Sequence, residues 1–105
     1  MFELIFTESA IEDLRYLSKA DQNLILDTVE QQLLQEPLTV TRNRKPLRPN
    51  DISAWELRIG QHRVFYDVDT EDNVVTVKAV GWKEHNKLFI RGKEFELWKL
   101  LTSQK

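Results

Sequence analysis

The stretch WELRIGQHRVFYDV, residues 55–68, carries the clearest structural signal in this 105-residue chain. Apolar residues alternate with polar or charged ones on both sides of the dipeptide Gly60-Gln61. A glycine in the first position favours a two-residue β-turn, and alternation is typical of a strand with one buried face. We therefore predict a β-hairpin with strands Ala54–Ile59 and His62–Val68.

The predicted register sorts the side chains of this hairpin onto two faces, because successive strand residues point in opposite directions. The predicted core face holds Trp55, Leu57, Ile59, Val64, Tyr66 and Val68. On the other face Arg58 lies directly opposite Arg63, and like charges in that position destabilise a sheet. An anion between the two guanidiniums would remove this repulsion, and the arginine fork fits phosphate oxygens. The alternative is that either arginine pairs with Glu56, Asp67 or the C-terminus.

The residues before the hairpin predict one strand and two helices. Phe2–Phe6 is short and β-prone, which favours a strand. Thr7 and Ser18 are suitable helix N-caps, each followed by residues with helical periodicity. The apolar positions of the first helix are Ala10, Ile11, Leu14 and Leu17, and those of the second are Ile25, Leu26, Val29 and Leu33. Pro37 ends the second helix, so we expect an αα-hairpin.

The residues on either side of the hairpin predict a basic loop and a third strand. Leu38–Ser53 contains two prolines and no clear period, which indicates a loop. Val74–Val80 alternates like a strand. In this strand we expect Val75, Val77 and Ala79 to face the core and Thr76, Lys78 and Val80 to face outward, with Lys78 beside the two arginines.

Beyond Gly81 the sequence allows two interpretations. Leu88–Ile90 and Glu94–Leu97 could form a small hairpin, whereas Glu94–Leu101 could form a helix. The order of elements predicts an α+β fold, with the N-terminal strand and helical hairpin packed on a mostly antiparallel sheet of about four strands. We expect a single domain over residues 1–105, with residues 98–105 as a tail.

Composition excludes several classes of protein. The 41% hydrophobic and 30% charged content is globular, and the absence of cysteine excludes disulfides, thiolate catalysis and cysteine-based metal sites. No apolar run is long enough to span a membrane. The N-terminus lacks the basic n-region of a secretory signal, so we expect no such signal. We expect a cytoplasmic protein.

Charge is distributed unevenly along the chain. Residues 1–37 carry a net charge of −6 and residues 38–64 carry +4, within a total of −2. A basic segment in an acidic protein indicates a local anion-binding surface, although solvated faces would show the same pattern. The basic residues of the predicted loop are Arg42, Arg44, Lys45 and Arg48.

The two histidines are weaker candidates for chemistry. His85 follows the third strand near Lys83, where it could act as a general acid or base on the face of the arginines. His62 and His85 have no carboxylate spaced to complete a metal site, so we predict no metal. The serines occur in no nucleophile motif, and no glycine-rich phosphate loop is present.

The sequence resembles the RelE/ParE superfamily of toxins from type II toxin–antitoxin systems, over roughly residues 2–97. The central block, residues 55–68, is similar to the family pattern W-x-L-R-x-G-x-x-R-V-x-Y-x-V. Val80-Gly81-Trp82-Lys83 is similar to the V-G-x-R or V-G-x-K that ends the last strand of the family. The segment RNRKPL, residues 42–47, resembles the basic segment that precedes the central block.

The resemblance implies a toxin neutralised by a cognate antitoxin, with operator DNA bound only through the antitoxin. RelE-like members cut mRNA in the ribosomal A site without a metal or cofactor. By position, Arg63 would contact the scissile phosphate, and Arg58 and Lys83 would assist it, with His85 as a candidate acid or base. The residues expected to bind RNA are Arg42, Arg44, Lys45, Arg48 and Lys78.

Three departures from the family pattern keep other activities open. The first is the net charge of −2, whereas ribosome-binding toxins are usually basic. The tyrosine that RelE proteins carry near the C-terminus aligns with Phe89, which has no hydroxyl, and Glu56 stands where some of the RNases have a lysine. Either His85 or Glu56 could supply the missing acid or base. The alternatives to a ribosome-dependent RNase are a ParE-like toxin that binds DNA gyrase and a decayed toxin that only binds its antitoxin and helps to repress the operon.

Overall fold

A computed structural model describes residues 1–96 and contains seven strands and two helices. The helices are α1 (Glu8–Arg15) and α2 (Lys19–Leu33). The strands are β1 (Glu3–Phe6), β2 (Arg44–Pro46), β3 (Trp55–Ile59), β4 (His62–Asp69), β5 (Val74–Glu84), β6 (Lys87–Ile90) and β7 (Lys93–Phe95). The predicted α+β class is therefore confirmed, although about four strands was too few.

Both helices begin at the predicted caps. Thr7 and Ser18 have extended backbones, and their hydroxyl oxygens accept hydrogen bonds from the amides of Ala10 and Asp21. Each bond satisfies one of the amides that a helix leaves without a partner at its first turn. The buried stripe of α2 is Ile25, Val29 and Leu33. Leu26 was predicted to belong to this stripe, but it lies at its margin and is 40% exposed.

The seven strands form one sheet. Six of them follow the order β2-β3-β4-β5-β6-β7, and these neighbours are antiparallel. β1 pairs in parallel with the first part of β5, whereas β6 pairs with its last residues. The long β5 thus joins the N-terminal strand to the C-terminal hairpin. The loop predicted over Leu38–Ser53 contains one short strand, β2, because residues 44–46 pair with the edge of β3.

The central hairpin has the predicted register. Trp55 pairs with Tyr66, Arg58 with Arg63 and Ile59 with His62. Gly60 starts the turn with a φ of 59°, a backbone angle that glycine adopts without strain. The face toward the helices is the main core, where Leu57, Val64 and Tyr66 are fully buried. Trp55 stacks on Tyr66 with a centroid distance of 6.1 Å.

A β-bulge in the β4–β5 pair corrects the predicted faces of β5. Phe65 pairs with Ala79 and Tyr66 pairs with Val77, so Lys78 is an extra residue in the ladder. One extra residue moves every following side chain to the opposite face. Val80, predicted to face outward, is therefore buried in the main core, and Ala79 joins a second cluster with Phe65 on the other face.

The C-terminal part of the described chain is a hairpin. Ile90 pairs with Lys93 around Arg91-Gly92, both of which have positive φ angles. β7 occupies residues 93–95, so the hairpin interpretation is confirmed there. The remainder of the alternative helix Glu94–Leu101, and the tail over 98–105, lie largely beyond the described residues. No helix within residues 1–96 has the length and apolarity needed to cross a membrane.

Gly81 allows β6 to approach β5 closely. A Cβ at this position would overlap the carbonyl oxygen of Phe89 and lie 2.9 Å from Cγ1 of Ile90. Because the nearest obstacle is backbone, the strand itself would have to move. We expect Gly81→Ala to lower the free energy of unfolding by about 1–3 kcal/mol, the usual cost of overpacking. Urea denaturation would measure this change, and an unchanged midpoint would contradict the prediction. The comparison variant is Ala54→Gly, which changes one methyl group at an exposed position.

Candidate functional site

The face of the sheet opposite the helices carries a compact group of charged residues, which we call the arginine face: Lys45, Glu56, Arg58 and Arg63. Strand pairing brings them together, since Lys45 lies opposite Glu56 and Arg58 lies opposite Arg63. Glu56 and Arg58 are two residues apart on β3 and therefore share one side of the sheet. The sequence prediction of paired arginines on one face is confirmed by this register.

Arg63 is the most constrained residue of the arginine face. Its side chain is only 9% exposed, and its Nη1 donates to the carbonyl oxygens of Gly60 and His62, both at 2.9 Å. Its Nε is buried and has no hydrogen-bond partner in the described structure. Burial lowers the pKa of Arg63, Glu56 raises it and Arg58 lowers it. The turn thus fixes one end of the guanidinium and leaves a buried donor unsatisfied.

Glu56 supplies a negative charge between two cations. Its Oε2 lies 4.0 Å from Nε of Arg63 and 4.0 Å from Nζ of Lys45, and its side chain is 5% exposed. Both distances allow electrostatic attraction but are too long for hydrogen bonds. The pairing of an arginine with Glu56, considered as the alternative from sequence, is therefore present. Asp67 instead accepts a hydrogen bond from the amide of Ala54.

Lys83 lies next to the arginine face on β5. Gly81 pairs with Arg63, and Lys83, two residues further on, points to the same side of the sheet. Its amide donates to the carbonyl oxygen of Gln61 at 2.7 Å, which continues the ladder past the hairpin turn. Gly81 itself places no side chain beside Arg63, and the space over Gly81 is filled by the backbone of Phe89 and the side chain of Ile90.

His85 and Phe89 lie on the other side of the sheet. His62 pairs with Trp82, and Trp82 pairs with Phe89, so these three side chains share the side that faces the helices. Phe89 stacks on Trp82 with a centroid distance of 6.0 Å. His85 sits in the β5–β6 turn with a φ of 53° and lines a pocket with His62 and Trp82. The structure therefore separates His85 from the arginines with which it was grouped.

The basic residues predicted to bind RNA occupy three different environments. Arg44 is buried, and its Nη1 donates to the carbonyl oxygens of Gln32 and Glu36, both at 2.6 Å, at the end of α2. Arg42 and Lys45 are exposed beside β3. Arg48 and Lys78 line a separate groove of about 520 Å³. Lys78 lies three residues from Gly81, which is about 10 Å along the strand, and is thus not beside the arginines.

No sequence pattern indicated the most buried carboxylate of residues 1–96, which is Asp13. The side chain of Asp13 is 1% exposed, and its two oxygens accept hydrogen bonds from the amide of Val80 at 3.0 Å and from Nε of Arg91 at 2.6 Å. Arg91 also donates to the backbone carbonyl and the hydroxyl of Ser9. The group ties α1 to β5 just after the bulge and to the C-terminal hairpin. Its geometry indicates a structural role.

The buried hydroxyl of Tyr66 was likewise missed. It donates to the carbonyl oxygen of Pro37 at 2.7 Å, directly after α2. Burial raises the pKa of Tyr66, and the neighbouring charge of Arg44 opposes this shift. Tyr66 and Arg44 together fix the end of α2 against the sheet, which accounts for both polar groups in the core.

Residues 4–86 match the family of the ParE toxin of the type II toxin–antitoxin system parDE. No curated protein sequence matches the chain significantly.

Among solved structures, the RelBE2 toxin–antitoxin complex from Mycobacterium tuberculosis is 28% identical to the chain, covering 78% of it and 98% of the matched chain with a TM-score of 0.68. The archaeal RelE–RelB complex from Pyrococcus horikoshii is 20% identical, with coverages of 80% and 97% and a TM-score of 0.65. The intact RelBE complex from Escherichia coli is 24% identical, with coverages of 81% and 100% and a TM-score of 0.64. The family match covers most of the chain and agrees with the fold, so this protein belongs to the ParE toxin family of type II toxin–antitoxin systems, within the RelE/ParE superfamily.

Proposed function

We propose that the chain is a RelE-like toxin that cuts mRNA in the ribosomal A site and is neutralised by a cognate antitoxin. The observation that carries this proposal is the buried, unpartnered Nε of Arg63, with Arg58 directly opposite. An unsatisfied buried donor destabilises a protein, and two facing arginines add repulsion. A phosphate bound between them would satisfy the donor and neutralise the repulsion.

The proposed reaction needs neither metal nor cofactor. The 2′-oxygen of the RNA attacks the adjacent phosphorus, a new P–O2′ bond forms, and the P–O5′ bond breaks. Arg58 and Arg63 would stabilise the negative charge that develops on the non-bridging oxygens. Lys83 would stabilise the charge on the departing 5′-oxygen.

A proton acceptor for the 2′-hydroxyl is also required. Of the two residues expected to transfer a proton, Glu56 lies on the arginine face, whereas His85 lies on the opposite side of the sheet. Glu56 is therefore the preferred general base. The carboxylate of Glu56 is nearly buried between Arg63 and Lys45. An RNA phosphate must therefore replace this carboxylate beside the two cations before Glu56 can accept the proton.

The proposed partners follow from the same surface. The similar solved structures include toxins in complex with antitoxins, which supports an antitoxin for this chain. An acidic antitoxin segment would complement the exposed Arg42, Lys45 and Arg58. The ribosome and mRNA are the proposed targets, operator DNA would be bound only through the antitoxin, and the place of action would be the cytoplasm.

A ParE-like toxin that binds DNA gyrase is the second candidate. The specific observation in its favour is that Arg63 is already held by two carbonyl oxygens and faces a carboxylate. In addition, Phe89 has no hydroxyl and lies on the far side of the sheet. A toxin that binds a protein target needs no free phosphate site.

The deciding experiment is primer extension on programmed ribosomes incubated with purified protein, together with growth assays in cells that lack the antitoxin. Cuts confined to the A-site codon would support the RelE-like proposal. Growth arrest with intact mRNA and gyrase-dependent DNA breaks would replace it with the ParE-like activity. The absence of both growth arrest and cleavage would indicate a decayed toxin that acts only with its antitoxin.

Arg58→Ala tests the exposed half of the arginine pair. We expect the A-site cleavage rate to fall about 10- to 100-fold, because a hydrogen bond to a charged group contributes about 1.5–3 kcal/mol. Arg15→Ala is the matched control, since it removes an exposed arginine of α1 that pairs only with Glu12 in the described structure. Equal cleavage by the two variants would remove Arg58 from the site.

A further inference from the structure

A pocket of about 670 Å³ lies on the helix side of the sheet, beside the hairpin turn to which the Arg63 side chain is hydrogen-bonded. We call it the turn pocket. It is lined by Leu17, Asp21, Gln61, His62, Trp82, Glu84 and His85. The backbone at Gly60 and His62, to which Arg63 is bound, separates this pocket from the arginine face.

Two carboxylates, those of Asp21 and Glu84, line the turn pocket. Nε2 of His62 is 3.6 Å from Oδ2 of Asp21, too far for a hydrogen bond. Within residues 1–96, Glu84 forms no ion pair within 4.0 Å. The pocket therefore presents two carboxylates with no lysine or arginine nitrogen of residues 1–96 within 4.0 Å, although Lys87 lies opposite Glu84 in the β5–β6 ladder.

An aromatic wall accompanies these carboxylates. Trp82 is half-buried, and its stacking on Phe89 with an interplanar angle of 19° fixes its ring in the wall of the pocket. Tryptophan attracts cations over its face more strongly than the other aromatic side chains do. Carboxylates beside a fixed indole form a site for a planar cation that donates several hydrogen bonds.

We propose that the turn pocket receives an arginine side chain from a protein partner, which in the proposed function is the antitoxin. The inference rests on that function only for the identity of the partner. A guanidinium carries five donors and no acceptor, binds carboxylates in a bidentate manner and stacks on indole rings. A lysine ammonium matches the charge but not the planar shape. RNA is disfavoured because its phosphates would approach Asp21 and Glu84.

The charge of the surrounding chain agrees with a basic partner segment. Residues 1–37, which include both helices, carry a net charge of −6. Residues 38–64 carry +4 and supply the arginine face on the opposite side of the sheet. Asp21 belongs to the acidic part and Glu84 adds a further negative charge. A partner that reached both sides would need a basic segment here and an acidic one at the arginine face.

Titration of the full chain with N-acetyl-arginine methylamide, followed by NMR, tests the proposal. We expect saturable shifts of the Trp82 indole N–H and of the amides of Gln61 and Glu84, with a Kd in the millimolar range. N-acetyl-lysine methylamide should bind at least about fivefold more weakly. Glu84→Gln should weaken arginine binding about tenfold, whereas Glu71→Gln, in the exposed β4–β5 turn, should leave it unchanged.

Several outcomes would overturn the inference. Equal affinity for the two probes, unchanged binding to Glu84→Gln, or shifts confined to Arg58 and Arg63 would each contradict an arginine pocket. Stronger shifts of Trp82 with guanosine monophosphate would identify it as a nucleotide site instead. A protein that binds the arginine probe but does not cut RNA would contradict only the proposed RNase function. A protein that cuts RNA and ignores the probe would contradict only the pocket.

Discussion

Asp13→Ala is expected to lower the free energy of unfolding by about 2–4 kcal/mol. The variant leaves the buried amide of Val80 without an acceptor, which costs about 1–3 kcal/mol, and it removes a half-exposed ion pair with Arg91 that contributes on the order of 1 kcal/mol. In a domain of this size each kcal/mol lowers Tm by roughly 4–8 °C. Urea denaturation and thermal melting followed by circular dichroism would both detect the change.

The matched control for Asp13 is its neighbour in α1. Glu12→Ala also removes an acidic side chain from the helix, but Glu12 is exposed and pairs only with Arg15 in the described structure. We expect this control to change stability by less than about 0.5 kcal/mol, as is usual for surface substitutions. Asp13→Asn should fall between the two, because its amide oxygen can still accept the hydrogen bond from Val80. Equal stability of Asp13→Ala and Glu12→Ala would show that the buried contacts contribute little.

The central hairpin could be predicted because several local signals agree. Glycine at position 60 fixes the turn, and the turn fixes the register, so the pairing of Arg58 with Arg63 follows from counting residues. Helix caps at Thr7 and Ser18 are similarly local. These features depend on residues that are close in the sequence, where periodicity and turn chemistry are informative.

Features that depend on distant residues could not be predicted in this way. The β-bulge at Lys78 inserts one residue and reverses the faces of Ala79 and Val80. Two adjacent apolar residues at 79–80 are compatible with a bulge, but they also occur in regular buried strands. Asp13 meets Val80 from 67 residues away, and no pattern along the chain records that contact.

The candidate site was predicted only in part, for the same reason. Arg58 and Arg63 belong to one hairpin, and their juxtaposition follows from its register. The position of His85 depends on the β5–β6 turn and on the twist of β5 past the hairpin, neither of which alternation alone predicts. Arg44 appeared to be one more cation of a basic loop, yet β2 directs it toward the end of α2. Residue type alone did not predict the function of a side chain where a short strand determines which face of the sheet that side chain occupies.

Arg63→Ala should lower the rate of A-site cleavage about 10²- to 10³-fold if the proposed RNase function is right. That is the usual effect of removing one fixed donor that stabilises transition-state charge. Arg63 is expected to matter more than Arg58 because the carbonyl oxygens of Gly60 and His62 hold its guanidinium in place, so less conformational freedom is lost when phosphate binds. Single-turnover cleavage on programmed ribosomes measures the effect directly.

Loss of activity in Arg63→Ala could also arise from a loosened turn, because the same side chain binds two turn carbonyls. Arg63→Lys separates the two causes, since lysine keeps the positive charge beside Glu56 but cannot hold both the turn and a phosphate with one planar fork. We expect Arg63→Lys to retain the wild-type circular dichroism spectrum and most of the stability, yet to cleave at least about tenfold more slowly. A folded Arg63→Lys or Arg63→Ala variant that cuts mRNA at the wild-type rate would place the chemistry elsewhere. A variant that still arrests growth without cutting would point to a protein target, for which the buried guanidinium serves only to fix the hairpin.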